Sequence, residues 1–306
     1  MSSSHKETLY APLLVSAVFA LTLASRFLPA GVLGIDENPY LSVVVMQLIV
    51  YALPTLFYSR IKGREFTPKL RLKLPGVSKI IFIIYSSIFL ISGSILISVL
   101  MYNAFPNNFS SSSVSEYAAF AMNSRFFDGL YLIVAFAILP AFTEEFLFRG
   151  VIIAEYDKNG AAVASLMSGV MFAMSHFSFA RFPVYFFAGI VLSIVLFATR
   201  SVVASAIVHT VYNAVILLCE KYILHLADKQ NVSFVLFEII VGAVMILSAM
   251  LVCYEAYAIY KGYAEQNVES EYAKKSGKSA FTRIAETFFS PTFLILVIIF
   301  IVGAAA

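Results

Sequence analysis

Charge is scarce in this chain. Asp, Glu, Lys and Arg make up 13% of its 306 residues against 60% hydrophobic, and the mean hydropathy is +0.88. A soluble domain of that composition would leave too much apolar surface in water, so the chain is a polytopic membrane protein and its length counts spans. Cysteine is scarce too: Cys219 and Cys253 both lie in apolar stretches without C-x-x-C spacing, and read as small core residues rather than a disulfide or metal pair. There is no Gly-rich phosphate loop and no nucleic-acid signature, so no nucleic acid is expected as a partner. No internal repeat is visible, which removes the symmetry argument for an inverted-repeat transporter. The opening "MSSSHKETLYAPLL" has a weak charged region and runs into a span-length apolar segment, so no cleavable signal peptide is expected.

What is present is apolar sequence in span-sized pieces. A helix needs about 20 apolar residues to cross a bilayer, and candidates fall at 9–30, 41–60, 79–103, 127–156, 161–180, 183–199, 201–219, 233–258 and 288–305. The expected fold is all-α, a polytopic transmembrane helical bundle of eight or nine spans; the alternating ten-residue pattern of a barrel is absent. Residues 1–306 read as a single membrane-embedded domain, with N-terminal spans and loops over 1–125, a motif-bearing core over 126–220 and C-terminal spans over 221–306. "RIKGREFTPKLRLKLPGVSK" (Arg60 to Lys79) and "KKSGKSAFTR" (Lys274 to Arg283) are basic and are expected in the cytoplasm. The acidic "GIDENPY" (Gly34 to Tyr40), the Ser-rich loop at 107–117 and the "EKYILHLADKQN" loop then face out, and "YDKNG" (Tyr156 to Gly160) faces in. That pattern puts the N-terminus inside a multi-pass protein. The short chain and lean loops suit a prokaryotic cytoplasmic membrane.

Within these spans a few ionisable residues stand out, because each costs a few kcal/mol in a bilayer and so marks a candidate functional site. "FTEEFLFRG" (Phe142 to Gly150) carries Glu144, Glu145 and Arg149. Glu145 and Arg149 are i, i+4 in the favourable order and share a helix face. Glu144 is turned about 100° away, which leaves it less neutralised and available as a general base. The plainer reading is that both glutamates satisfy Arg149 and pin the helix. "GVMFAMSHFSF" sets Phe172 and His176 four apart; such a histidine is most often a hydrogen-bonded core residue. If the helix of Glu144 turns at Asn159–Gly160, however, Glu144 and His176 lie 16 residues to either side of the turn and come to matching depth. "SAIVHTVYNAVI" sets His209 and Asn213 four apart, either as two N–H donors toward an oxyanion or as a helix–helix hydrogen-bond contact. Counted from the turn at Arg200, His209 stands nearer the cytoplasm than His176, unless that turn is itself recessed. Arg26, Asp128, Glu238 and Glu255 sit near helix ends and are read as snorkelling or helix-end residues.

"EEFLFR" (Glu144 to Arg149), "FAMSH" (Phe172 to His176) and "HTVYN" (His209 to Asn213) occur in that order, each in its own apolar segment. Together they resemble the CPBP family, the CAAX proteases and bacteriocin-processing enzymes also called the Abi family, whose signature is E-E-x-x-x-R, F-x-x-x-H and H-x-x-x-N. The resemblance covers roughly 126 to 220. It implies an intramembrane endopeptidase similar to the type II CAAX prenyl endopeptidases, with a mostly eight-helix core. On that resemblance Glu144 is the general base and His176 its partner on water. His209 and Asn213 are the oxyanion donors, with Glu145, Arg149 and Phe172 in support.

The implied reaction needs no cofactor, and the expected substrate is a membrane-tethered peptide or a lipidated protein. Glu144, His176 and His209 would also suit zinc as one carboxylate and two imidazoles, though H-E-x-x-H spacing is absent. Two other function classes stand beside the peptidase. One is a non-catalytic bacteriocin self-immunity factor or regulatory membrane adaptor on the same scaffold; the other is a transporter using Glu and His as a proton relay.

Overall fold

The computed structural model describes residues 10–27, 39–106, 126–229, 232–266 and 279–305. The loop at 107–117, residues 34–38 and residues 274–278 lie outside the described residues. Everything described that is regular is helix. In chain order the helices are α1 (Tyr10–Ser25), α2 (residues 39–62), α3 (Ile80–Ala104), α4 (residues 126–156), α5 (Ala161–Met174), α6 (Phe182–Thr199), α7 (Val202–Lys229), α8 (Val232–Glu265), α9 (Ala280–Phe288) and α10 (Pro291–Ala305).

Local chemistry sets the breaks. Two wider π-helical stretches, Gln47–Ala52 in α2 and Val134–Ile138 in α4, end two residues before Pro54 and Pro140, where proline removes a backbone donor and the ladder must re-register. A third, Phe146–Ile152, follows the paired glutamates. Gly160 carries φ of 92° between α4 and α5, a value glycine takes without strain. Arg200 closes α6 in the left-handed region.

Among the described residues six helices are long and apolar enough to cross a membrane, or seven if the pair α9–α10, bent by 61°, counts as one. The exact count of eight or nine spans is therefore not confirmed by length and composition, and two shorter apolar helices stand beside these. The segments expected at 9–30 and 161–180 form helices of 16 and 14 residues, rising about 24 and 21 Å at 1.5 Å per residue against the ~30 Å of a hydrocarbon core. The second stops early because the Phe172 carbonyl, which a continuing helix would give to the His176 N–H, instead takes Ser175 Oγ at 2.7 Å and His176 Nδ1 at 3.0 Å. The stretch written as an outer loop at 220–231 is helical as far as Lys229.

α4, α5, α6 and α7 form the centre. α5 and α6 cross at backbone contact: a Cβ placed on Gly189 would stand 2.6 Å from Gly169 Cα, the close approach that small residues permit between membrane helices. α3 packs along α8, α6 and α7, and α1 packs along α10.

One end of the bundle gathers the basic residues. Lys62 pairs with Glu155 at 2.8 Å, and Lys79 Nζ donates to Thr199 O at 3.0 Å and to the Tyr263 hydroxyl. Arg283 donates to Asn159 O. Arg71 reaches Asp157 at 3.5 Å while its carbonyl accepts Val202 N–H at 3.0 Å, and Ser201 Oγ donates to Lys73 O. Residues 70–73 therefore lie across the α6–α7 turn. Ser201 is 0% and Thr199 2% exposed. The turn is recessed, which resolves the mismatch in depth between His209 and His176.

Candidate active site

α4 and α5 run antiparallel from the Gly160 turn, with Ser168 Oγ donating to Phe148 O at 3.0 Å and the rings of Phe148 and Phe172 in edge contact at 5.4 Å. That register carries Glu144 and His176 to the same level. Both line a cavity of about 350 Å³, along with His209, Asn213, Tyr185 and Tyr212.

The two glutamates divide as the helix wheel indicated. Glu145 Oε1 accepts Arg149 Nη1 at 2.7 Å, both side chains being 0% exposed. The same oxygen accepts His209 Nδ1 at 3.0 Å, so Glu145 serves two partners, not Arg149 alone. Arg149 also donates through Nη2 to the Gly189 carbonyl at 3.1 Å, and its guanidinium lies 4.6 Å over the Phe172 ring. Glu144 has no ion pair among the described residues. Its neighbour Thr143 donates to Gln47 Oε1 at 2.7 Å, and the Gln47 amide lies within reach of the Glu144 carboxylate.

His176 is not on a helix face as expected; it sits in the turn beyond α5. Its Nδ1 lies 3.0 Å from the Phe172 carbonyl, which can only accept, so Nδ1 carries the hydrogen and Nε2 is left as the acceptor. Tyr185 stacks on the imidazole at 3.6 Å and 15°. Phe172 meets both imidazole rings edge-on, His176 at 5.0 Å and His209 at 5.5 Å. With Nδ1 of His209 held by Glu145, donation toward the cavity falls to Nε2 and requires the doubly protonated ring. Asn213 lines the cavity one turn further on, with Nδ2 3.5 Å from Ala137 O. The seven residues singled out by the three motifs thus converge, four on the cavity and three behind it.

Several contributors carried little sequence signal. Gln47 is an amide inside an apolar run, a deep polar residue of the same kind as Asn213. Arg181 and Glu220, also lining the cavity, pair at 2.6 Å between the start of α6 and the C-terminal half of α7. Tyr185, in "FPVYFF", had no distinguishing pattern. Three carboxylate or imidazole groups close enough to hold a metal do not occur among the described residues. Glu145 and His209 are each other's partners instead.

An all-helical membrane protein with a carboxylate and two imidazoles at the base of an intramembrane cavity is the class these features define. Residues 126–215 match the family model described as type II CAAX prenyl endopeptidase Rce1-like, and the match supports assigning the chain to the CAAX protease family. No curated protein and no solved structure matches the chain.

Proposed function

We propose that the protein is a glutamate-dependent intramembrane endopeptidase that hydrolyses a membrane-associated peptide without metal. The observation that carries this reading is Glu144: a carboxylate only 7% exposed, with no ion pair among the described residues, facing a cavity it shares with two imidazoles and an amide. A neighbouring glutamate is engaged with Arg149 and His209, so the pair has one structural and one available member. The match to a family of proteases supports the same chemistry.

In the reaction Glu144 accepts a proton from water, with His176 Nε2 holding that water on its other side. The resulting hydroxide attacks the scissile carbonyl carbon. Negative charge then develops on the carbonyl oxygen, where Asn213 Nδ2 and a protonated His209 are the available donors. Collapse of the tetrahedral intermediate breaks the C–N bond, and the proton held by Glu144 passes to the leaving amine. Glu145 orients His209 through Nδ1, Arg149 balances Glu145, and Phe172 holds His176 through its carbonyl.

The test is hydrolysis of a panel of prenylated C-terminal peptides and membrane-tethered leader peptides by the purified protein, with His176→Ala alongside. Cleavage of one class, lost in His176→Ala, is expected. Cleavage of none, or cleavage undiminished by His176→Ala, would overturn the assignment.

A further inference from the structure

We infer that α2, which lies outside the residues matching the protease family, carries two positioning residues for the site. Gln47 holds the Glu144 carboxylate, and Tyr51 holds the turn that carries His176. This rests on the peptidase reading above and adds to it how the two groups that face water are kept in place.

α2 is an unpromising place for polar side chains. Along its π-helical stretch Leu48 and Ile49 are each 44% exposed at the surface of the bundle, while Tyr51 is buried and Gln47 half-buried. The stretch packs against Leu139–Glu145 of α4. Gln47 and Tyr51 stand four apart and so share its inward face. A primary amide in such a run is costly unless the protein meets its hydrogen bonds.

Gln47 finds its partners on two adjacent residues of α4. Its Oε1 accepts from Thr143 Oγ1 at 2.7 Å, and that bond sets which way the amide points: Oε1 to the hydroxyl, Nε2 to the Glu144 carboxylate, which only accepts. A second arrangement exists once Glu144 has taken a proton from water. The carboxylic acid is then a donor, and the amide turns over so that Oε1 accepts from Glu144 and Nε2 donates to Thr143 Oγ1. The Thr143 proton goes to Leu139 O, 3.0 Å away. No further proton is transferred; only the amide and one hydroxyl rotate. Gln47 thus satisfies Glu144 in both states that a general base passes through. A lysine or arginine there, having donors alone, would satisfy one.

Tyr51 serves the other half of the site. Ser175 gives its one proton to Phe172 O at 2.7 Å, so the Tyr51 hydroxyl bonded to Ser175 donates to its Oγ. Phe172 O also accepts from His176 Nδ1 at 3.0 Å, and Ser175 Oγ stands 3.3 Å from the same nitrogen. Tyr51 therefore locks the rotor beside His176 and, through it, the tautomer that leaves Nε2 toward water.

A plainer role for Gln47 is a helix–helix hydrogen bond that only fastens α2 to α4, and Gln47→Glu separates the two. It keeps the length of the side chain and an oxygen for Thr143, and deletes the N–H that Glu144 accepts. The experiment measures kcat and KM for peptide hydrolysis by the purified full chain as Gln47→Glu, Gln47→Leu and Tyr51→Phe, each shown to melt with the parent. Ile49→Ala, on the exposed side of the same stretch, is the control and should match the parent. Both Gln47 variants are expected to lose about ten- to a hundredfold in kcat with KM little changed, the worth of one hydrogen bond to a charged group. Tyr51→Phe should lose about three- to tenfold, and nothing further when combined with Ser175→Ala. Parent-like kcat in Gln47→Glu, or a loss confined to KM, would overturn the role of Gln47. Effects of Tyr51→Phe and Ser175→Ala that simply add would overturn that of Tyr51. A second readout needs no cleavage: reaction of Glu144 with an apolar carbodiimide, followed by mass spectrometry. Its rate should rise about threefold or more in Gln47→Leu, where no amide holds the carboxyl, and stay unchanged in Ile49→Ala. If the parent cleaves no peptide while Gln47→Leu raises this rate, the peptidase reading fails and the contact stands. An unchanged rate in Gln47→Leu refutes the contact whatever the peptides show.

Discussion

Replacing Arg149 with methionine keeps an apolar stem of similar reach and removes the charge. The guanidinium it deletes lies 2.7 Å from Glu145 Oε1, 3.1 Å from the Gly189 carbonyl and 4.6 Å above Phe172. Glu145, 0% exposed, is left with His209 alone. Stranding one member of a buried pair costs about 3–5 kcal/mol. At roughly 2–4 °C per kcal/mol for a chain of this size, melting should fall on the order of 10 °C. Glu145→Gln makes the converse error and should cost a similar amount. Glu145→Gln/Arg149→Met removes both charges, so the loss in the double variant should be well below the sum of the two single losses. The chain has no tryptophan, so stability is best followed as the monodisperse fraction surviving on size exclusion after heating in detergent. Arg149→Met melting within about 2 °C of the parent, or single effects that simply add, would refute the buried pair as a coupled unit.

Gly189→Ala should destabilise by about 1–3 kcal/mol by forcing α5 and α6 apart, since its Cβ would meet Gly169 Cα at 2.6 Å. Gly242→Ala in α8 has nothing within 4 Å and should leave the same heating assay unchanged or slightly improved. Tyr185→Phe keeps the ring stacked on His176 and should retain most peptide hydrolysis. Tyr185→Leu should lose about tenfold in kcat, the worth of roughly 1.4 kcal/mol of lost ring stacking. Asn213→Ala should lower kcat by about 10²–10³ with little change in KM, the signature of a donor that acts on the oxyanion.

How much of this could be read from the sequence depends on distance along the chain. The Glu145–Arg149 bridge spans one helical turn, and the placing of Glu144 and His176 on one cavity follows from counting equally from one glycine turn; both were legible. The bond from His209 to Glu145 joins helices 64 residues apart and depends on how α4 and α7 are rotated, which periodicity does not specify. The π-helical stretches at Val134–Ile138 and Phe146–Ile152 shift that phase further. The recess of the α6–α7 turn depends on backbone donors and acceptors of residues 70–73 and 201–202, groups every residue carries, so no side-chain pattern announced it. The early end of α5 turned on Ser175 and His176 capturing one carbonyl. Hydropathy registered a long apolar segment there and could not register where its backbone bonds stopped.

The central claim is that Glu144, and not its neighbour, takes the proton from water. Glu144→Gln preserves the shape of the side chain and its contact with Gln47 while removing the base. The decisive measurement is the initial rate of peptide hydrolysis by this variant, purified and shown to melt with the parent, with and without a chelator. A loss of about 10²–10⁴ is predicted for removal of a general base, and no effect of chelation on the parent. Hydrolysis by Glu144→Gln at near the parent rate, or parent activity abolished by the chelator and restored by zinc, would contradict it.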